Sequence, residues 1–200
     1  MKLEYEKLNI SKFLPENNIN PFFDNASTQV IPDIRKACAG KSAVENGKMF
    51  ETILENILED YRINLPKFTN KFSLSYFTQP KHTCHFGLPR KGDFKLKVYE
   101  SGQGYKENSI MIECKQLGNV ESHFDKISHT LLNALTGNMG NYVWLVYDYN
   151  RDIGNKTKIE ALVNRCKELK NQLQSQNIIF ELIDIYDIYK YLNLNYLKSL

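Results

Sequence analysis

Two apolar runs separated by an amphipathic segment constrain the fold of this chain most strongly. Residues 109–115 (SIMIECK) and 142–147 (YVWLVY) have the composition of strands that are buried within a sheet. Between them, apolar residues recur at the spacing of a helix face, namely Phe124, Ile127, Leu131 and Leu135. A strand, a helix and a second strand in this order predict a parallel crossover, and therefore a sheet with helices packed on it.

The remaining segments extend this arrangement in both directions. Ser42 and Glu45 fit a capping box that opens a helix, and Asn64-Leu65-Pro66 is expected to end it. Short connections among the first three strands predict antiparallel neighbours. The predicted fold class is therefore α/β, with a central mixed β-sheet flanked by helices on both faces. After the first helix, the predicted elements are strands at 72–77, 93–99 and 109–115, a helix from 122, a strand at 142–147, a helix at 156–175, a strand at 178–183 and a short helix at 185–192.

Length and composition fit one domain with an appended segment. The chain has 200 residues and a net charge of +3, which is compatible with a polyanionic partner without requiring one. Residues 1–41 are irregular and are expected to form an N-terminal arm packed on the core, which occupies 42–200. The N-terminus lacks the apolar stretch of a signal peptide, so a cytoplasmic protein is expected.

The cysteines predict neither a disulfide framework nor a structural zinc site. Four cysteines are present without paired spacing. His82, Cys84 and His85 form one local cluster of metal-ligand type, but no second pair of ligands accompanies them. We interpret this segment as a polar turn.

The chemistry of the chain is predicted to centre on Glu113 and Lys115. Two residues apart on a strand, their side chains leave the same face, while those of Ile110, Ile112 and Cys114 leave the other. Charged groups within an apolar strand are costly unless they are paired or bind an ion. The alternative interpretation is a surface salt bridge.

Asp93 is expected to join this pair through a hairpin. If Val98 lies opposite Ile110, then Asp93 lies opposite Lys115 and Lys95 opposite Glu113. Any even shift of this register keeps the acid on the same face. The alternative for Asp93 is a turn acid at the start of a strand.

Together these groups predict a site for a divalent cation. Mg²⁺ typically takes one or two carboxylates, here Asp93 and Glu113, and the backbone carbonyl of Cys114 is a third candidate ligand. Lys115 would orient water or stabilise developing negative charge. Glu51, at the edge of the buried face of the first helix, is a further candidate as an outer ligand or a ligand to a second metal. Gly47, one turn earlier, is expected to let the helix approach the sheet.

The helix acid has an alternative interpretation of its own. Taken alone, Glu51 would be a helix-surface carboxylate paired with Lys48 or Lys41.

The arrangement resembles the PD-(D/E)xK nuclease superfamily and its restriction-endonuclease-like fold. Asp93 matches the first motif acid, Glu113-Cys114-Lys115 matches the E-x-K motif, and Glu51 resembles the acid often found on the first core helix. The resemblance spans about residues 42–147 and includes the αβββαβ order. It implies Mg²⁺-dependent hydrolysis of DNA phosphodiesters, with Mn²⁺ as a substitute ion and products that usually carry 5′-phosphates.

One position departs from the family pattern. Gly92 directly precedes the acid where the family nominally has a proline, and Pro89 lies further back. Gln116, directly after the lysine, also resembles several members and is a candidate DNA contact.

Double-stranded DNA is the expected partner. Cationic side chains near the proposed site are the candidate phosphate contacts, namely Lys81, Arg90, Lys91, Lys95 and Lys97. These lysines would otherwise be the solvated cations that protect a strand edge. The first expectation is a type II restriction endonuclease acting as a homodimer, with a cognate DNA methyltransferase as genetic partner. The alternatives are a phage or repair nuclease of the junction-resolvase kind and a catalytically inactive DNA-binding module.

Overall fold

A computed structural model gives the element order and the sheet directly. It describes residues 42–68, 72–84, 86–100, 106–116, 120–136, 139–148 and 177–192, with position 197 and several positions between 157 and 173. The predicted N-terminal arm, residues 1–41, lies outside the described residues. The helices are α1 (Ala43–Phe68), α2 (Val120–Leu135) and α3 (Ile188–Tyr191), the last preceded by a 3-10 turn at Ile185–Asp187, and the strands are β1 (Phe72–Thr78), β2 (Lys81–Thr83), β3 (Pro89–Lys91), β4 (Phe94–Glu100), β5 (Lys106–Gln116), β6 (Tyr142–Asp148) and β7 (Ile179–Asp184).

The main sheet is mixed and has the order β1-β4-β5-β6-β7. β1, β4 and β5 are antiparallel neighbours, whereas β5, β6 and β7 run parallel. The predicted crossover is confirmed, because α2 lies in the chain between the parallel strands β5 and β6. The positions described between 157 and 173 are helical, in agreement with the helix predicted there.

Both faces of the sheet are buried, as the apolar strands require. On one face, Phe50 and Leu54 of α1 pack in a cluster with Ile112 and other residues of the central strands. On the other face, Ile127 of α2 packs in a second cluster with Val143 and other residues of β5 to β7. Helices therefore cover both faces, and a mixed α/β architecture follows.

Within the described residues, no helix combines the length and apolar composition that crossing a membrane requires.

The first helix begins as predicted and ends later than predicted. The Ser42 amide donates to Glu45 Oε2 at 2.8 Å, and the Glu45 amide donates back to Ser42 Oγ at 3.3 Å, which is a capping box. The helix then continues through Pro66 to Phe68. Leu65 is fully buried in the core, and this packing holds a last turn that local propensity alone would end.

The register of the hairpin differs from the prediction by two residues. Phe94 pairs with Ile112 and Lys95 with Met111, so the prediction that Lys95 faces Glu113 is wrong. By extension of the ladder, Asp93 falls opposite Glu113 and not opposite Lys115. The hairpin is longer than the apolar pattern indicates, because β5 already begins at Lys106 and pairs with Glu100 there. The shift is even, so Asp93 keeps the predicted face.

A second, two-stranded sheet projects from the first. β2 and β3 pair with each other in the order Lys81↔Lys91 and Thr83↔Pro89, which continues the Thr78↔Phe94 register of β1 and β4 without a bulge. Backbone hydrogen bonds span the junction, from the Gln79 amide to the Asp93 carbonyl at 3.0 Å and from the Gly92 amide to the Pro80 carbonyl at 2.9 Å. We call residues 79–92 the ribbon; position 85 within it lies outside the described residues. The ribbon does not pair with β5, because the pairing between β4 and β5 begins only at Phe94, directly after Asp93.

Candidate active site

The point where the ribbon leaves the sheet positions the first carboxylate. β4 pairs with β5 only from Phe94 onward, so Asp93 stands at the fork between the ribbon and β5. Its Oδ2 accepts a hydrogen bond from the Cys114 amide at 2.6 Å. The Asp93 side chain thus takes the place of a main-chain acceptor, and this bond fixes its orientation.

Lys115 brings both strand acids together. Its Nζ donates to Glu113 Oε2 at 3.1 Å and lies 3.7 Å from Asp93 Oδ2. The three side chains are largely withdrawn from water, with exposures of 13% for Glu113, 19% for Lys115 and 21% for Asp93. Both carboxylates therefore lie close to one ammonium group, and all three side chains are partly buried.

Glu51, on α1, lies close enough to Asp93 and Lys115 for their charges to affect its pKa. Burial raises the pKa of its carboxyl, and the negative charge of Asp93 raises it further, while Lys115 and Lys48 act in the opposite direction. The charges on the sheet act on Glu51 more strongly than Lys48 does, although Lys48 was the alternative partner on its own helix. The structure thus brings Glu51 into the electrostatic neighbourhood of Asp93 and Lys115; Lys41 lies outside the described residues.

The cluster contains more acid than base. The pKa of Glu113 is raised to about 7, because burial, the largest cause, together with Asp93 and Glu51 outweighs the lowering effect of Lys115. The pKa of Lys115 is itself raised: burial lowers it, but the neighbouring carboxylates Glu113 and Asp93 outweigh burial. One lysine thus faces three carboxyl groups, and its charge does not neutralise them. Such a deficit favours binding of a further cation.

The chain is closely packed at Gly92, directly before Asp93. A Cβ added at Gly92 would stand 3.1 Å from Glu113 Oε1 and 3.1 Å from Met111 Cε. The absent side chain leaves room for the Glu113 carboxylate, which gives the glycine at this position a local reason. Gly47 behaves differently, since a Cβ there would meet nothing within 4 Å. The prediction that Gly47 allows close helix approach is therefore wrong.

The carboxylates of Asp93 and Glu113 are ligands of the type that Mg²⁺ prefers. Among the described residues, no three His, Cys, Asp or Glu side chains are arranged to hold a metal ion as they stand. Mg²⁺ needs fewer, because one or two carboxylates suffice when waters complete its shell. Asp93 and Glu113 supply two acids at one point, where Lys115 now lies between them. The residues present therefore fit a magnesium site of the open type.

The predicted DNA contacts fall into two groups. Lys81, Arg90 and Lys91 are exposed on the ribbon, whereas Lys95 and Lys97 are half-buried on the Asp93 face of β4. Gln116 ends β5, and its side chain lies outside what is described. Lys97 Nζ stands 5.5 Å from the centroid of the Phe77 ring.

Sequence reasoning missed the ribbon as an element. Its strands are three residues long, and the segment was interpreted as a polar turn. Cys84 is buried at the base of the turn and accepts the Gly87 amide on its carbonyl at 2.8 Å. The constant register with β1 and β4 appears only in the structure, because strands this short carry no apolar alternation that predicts them. Compared with known proteins, the chain matches no protein-family model and shows no significant match to a curated protein.

Proposed function

We propose that this chain is a Mg²⁺-dependent DNA endonuclease of the PD-(D/E)xK superfamily, with a restriction-endonuclease-like αβββαβ core. The observation that carries the proposal is the convergence of Asp93 and Glu113 on Lys115 at the fork between the ribbon and β5. Within that superfamily we propose a type II restriction endonuclease that hydrolyses double-stranded DNA.

Asp93 and Glu113 are the proposed metal ligands. Strand geometry supports a third, since the amide and carbonyl of one residue point to the same side of a strand and the Cys114 amide already points at Asp93. When bound, Mg²⁺ supplies a Lewis acid for the phosphate and lowers the pKa of water. Mn²⁺ would serve as a substitute because it favours the same oxygen ligands.

Lys115 is the proposed catalytic lysine. Its ammonium is held by Glu113 and lies next to Asp93, where it would stabilise the negative charge that develops on the phosphate. In the reaction, the oxygen of water bonds to phosphorus while the bond from phosphorus to the 3′ oxygen breaks. The products are a 5′-phosphate and a 3′-hydroxyl. Glu51 would set the charge around these groups from α1.

The proposed setting follows from the class of enzyme. Cutting two strands calls for two sites, so we propose a homodimer. A cognate DNA methyltransferase is the proposed genetic partner, and the cytoplasm the proposed compartment.

Cleavage of supercoiled plasmids tests the proposal. We expect the wild type to cut in Mg²⁺ and not in EDTA. Asp93→Asn should lose at least about a hundredfold in rate, because even outer-shell partners of metal ligands are worth about 10- to 100-fold. The matched control is Asp187→Asn, which removes a surface carboxylate paired with Lys190 at 2.7 Å. It should cut as the wild type does.

Each result separates the proposed class from its alternatives. Discrete fragments support restriction, whereas cleavage confined to branched DNA indicates a junction-resolving nuclease. Binding without metal-dependent cleavage of any substrate identifies an inactive DNA-binding module and refutes the enzyme.

A further inference from the structure

We infer that the ribbon enters a groove of duplex DNA and that Phe86 and Leu88 at its tip contact the bases. The choice of duplex DNA as partner rests on the proposed function. The inference adds the element that contacts base edges, which the cationic residues alone do not supply.

The shape of the ribbon suits a groove. β2 and β3 form a sheet of two strands that is separate from the main sheet. The major groove, about 12 Å wide, admits a two-stranded β-ribbon. A ribbon that projects from the edge of the catalytic sheet can therefore reach into a duplex while the sheet stays outside it.

The charge of the ribbon suits a polyanion. The sequence from 79 to 92 contains Lys81, Arg90 and Lys91 and no acidic residue. His82 lies opposite Arg90, and burial lowers the pKa of its imidazole, with Arg90 lowering it further, so this histidine adds little positive charge near neutral pH. Lys81 lies directly opposite Lys91, which places two like charges side by side. Like charges in cross-strand positions destabilise a hairpin, so this pairing opposes the fold of the ribbon. A line of phosphates would relieve that repulsion.

The tip of the ribbon exposes two large apolar side chains. Phe86 is 72% exposed and Leu88 is 62% exposed. Their backbone is held in a closed turn, in which the Cys84 amide donates to the Leu88 carbonyl at 2.8 Å and Gly87 takes a φ of 77°. Adjacent exposed apolar groups on an ordered turn mark a contact surface. Apolar side chains contact thymine methyl groups or insert between base steps.

The ribbon would couple this contact to the site. Its two backbone hydrogen bonds at Gln79–Asp93 and Pro80–Gly92 join the ribbon to the first carboxylate. Leu88 lies five residues from Asp93 in the sequence, about 17 Å along an extended strand. Because base pairs stack at about 3.4 Å, this length limits the bases that the tip would contact to within roughly five pairs of the bond that is cut.

The test measures binding of a fluorescein-labelled duplex of mixed sequence in EDTA, so that cleavage plays no part. Phe86→Ser with Leu88→Ser should weaken binding by about tenfold or more without changing its salt dependence. Lys81→Ala with Lys91→Ala should instead reduce the slope of log affinity against log salt by about two. The matched control is Ile63→Ser with Leu132→Ser, which removes apolar groups that are 47% and 45% exposed on the helices.

Wild-type affinity in the tip variant, with an unchanged melting temperature, would overturn the inference. So would a change in oligomeric state on size-exclusion chromatography with DNA binding intact, because the tip would then join two copies. Absence of duplex binding by the wild type would also overturn it. A chain that binds through the tip but never cuts would refute the proposed enzyme and leave the ribbon's role standing.

Discussion

Two lysines hold carboxylates of the sheet, Lys115 from strand β5 and Lys170 from a helical position before β7, and their surroundings differ in charge balance. Lys170 binds both oxygens of Glu181 on β7, at 2.6 Å and 2.7 Å. That pair has one cation for one anion, and the Lys170 side chain is 38% exposed. Lys115 is 19% exposed and faces Glu113 and Asp93, with Glu51 acting on the same groups.

The difference separates a structural ion pair from a site. In the Lys170 pair, each partner satisfies the other, so the pair needs nothing further. In the Lys115 cluster, the pKa of Glu113 is raised to about 7, mainly by burial and further by Asp93 and Glu51, against the opposing effect of Lys115. One ammonium group among several carboxyl groups leaves a demand for positive charge. Burial of charge alone is thus a poor sign of function, whereas an uncompensated excess of one sign is a better one.

The largest expected contrast is in cleavage rate. Lys115→Gln should reduce plasmid cleavage by about a hundredfold or more, since a preorganised donor at developing charge is worth about 10²–10³. Lys170→Gln should leave the rate within about twofold, because its partner lies outside the proposed site. Equal losses in the two variants, measured as initial rates in Mg²⁺, would erase the distinction.

Replacing a glutamate by glutamine should change the free energy of unfolding in opposite directions in the two clusters. In metal-free protein near pH 8, Glu113→Gln should raise the free energy of unfolding by on the order of 1–3 kcal/mol, because it removes a carboxylate that is costly to ionise. Glu181→Gln should lower it by about 1 kcal/mol through loss of a charged hydrogen bond. Urea unfolding at fixed pH measures both, and the same sign in both variants would contradict the comparison.

The pH dependence of stability follows from the raised pKa of Glu113. The Glu113 pKa of about 7 in the folded chain lies above its ordinary 4.5, so the folded state holds this proton more tightly than the unfolded state. The stability it contributes is present below about pH 4.5 and is lost as the pH rises to about 7. Glu113→Gln should flatten this part of the curve, and Glu181→Gln should not.

Gly92 should be sensitive to a single methyl group. Gly92→Ala places a Cβ 3.1 Å from Glu113 Oε1, so that the carboxylate must move by a few tenths of an ångström from its present position. We expect about a tenfold loss of cleavage, partly restored at high Mg²⁺, because small displacements of metal ligands weaken binding. Unchanged Mg²⁺ dependence would show that Glu113 tolerates the shift.

The smallest effect is expected at Gly47, which has open space around it. Gly47→Ala should stabilise α1 by about 0.5–1 kcal/mol through lower backbone entropy in the unfolded chain. Cleavage should not change, although Glu51 lies one turn further on. A thermal melt gives the stability, and any loss of activity would show that α1 must bend at this position.

The sequence predicted the sheet and the faces of its strands because periodicity depends on burial alone. The alternation of Glu113 and Lys115 with Ile112 and Cys114 followed directly from strand geometry. The register did not, since nothing in the apolar pattern shows that β5 begins at Lys106. Only a tertiary contact explains why α1 passes through Pro66, namely the burial of Leu65.

The continuous ladder from β1 and β4 into the ribbon has a consequence for how such a chain can change. Lengthening the ribbon by one residue in each strand preserves the pairing at its base, so Asp93 and Gly92 keep their places. Adding one residue to a single strand would instead slip the pairing of the ribbon by one residue and turn the side chains of that strand to the opposite face. The length of the ribbon can thus vary by matched insertions near the tip while the fork at Asp93 stays fixed.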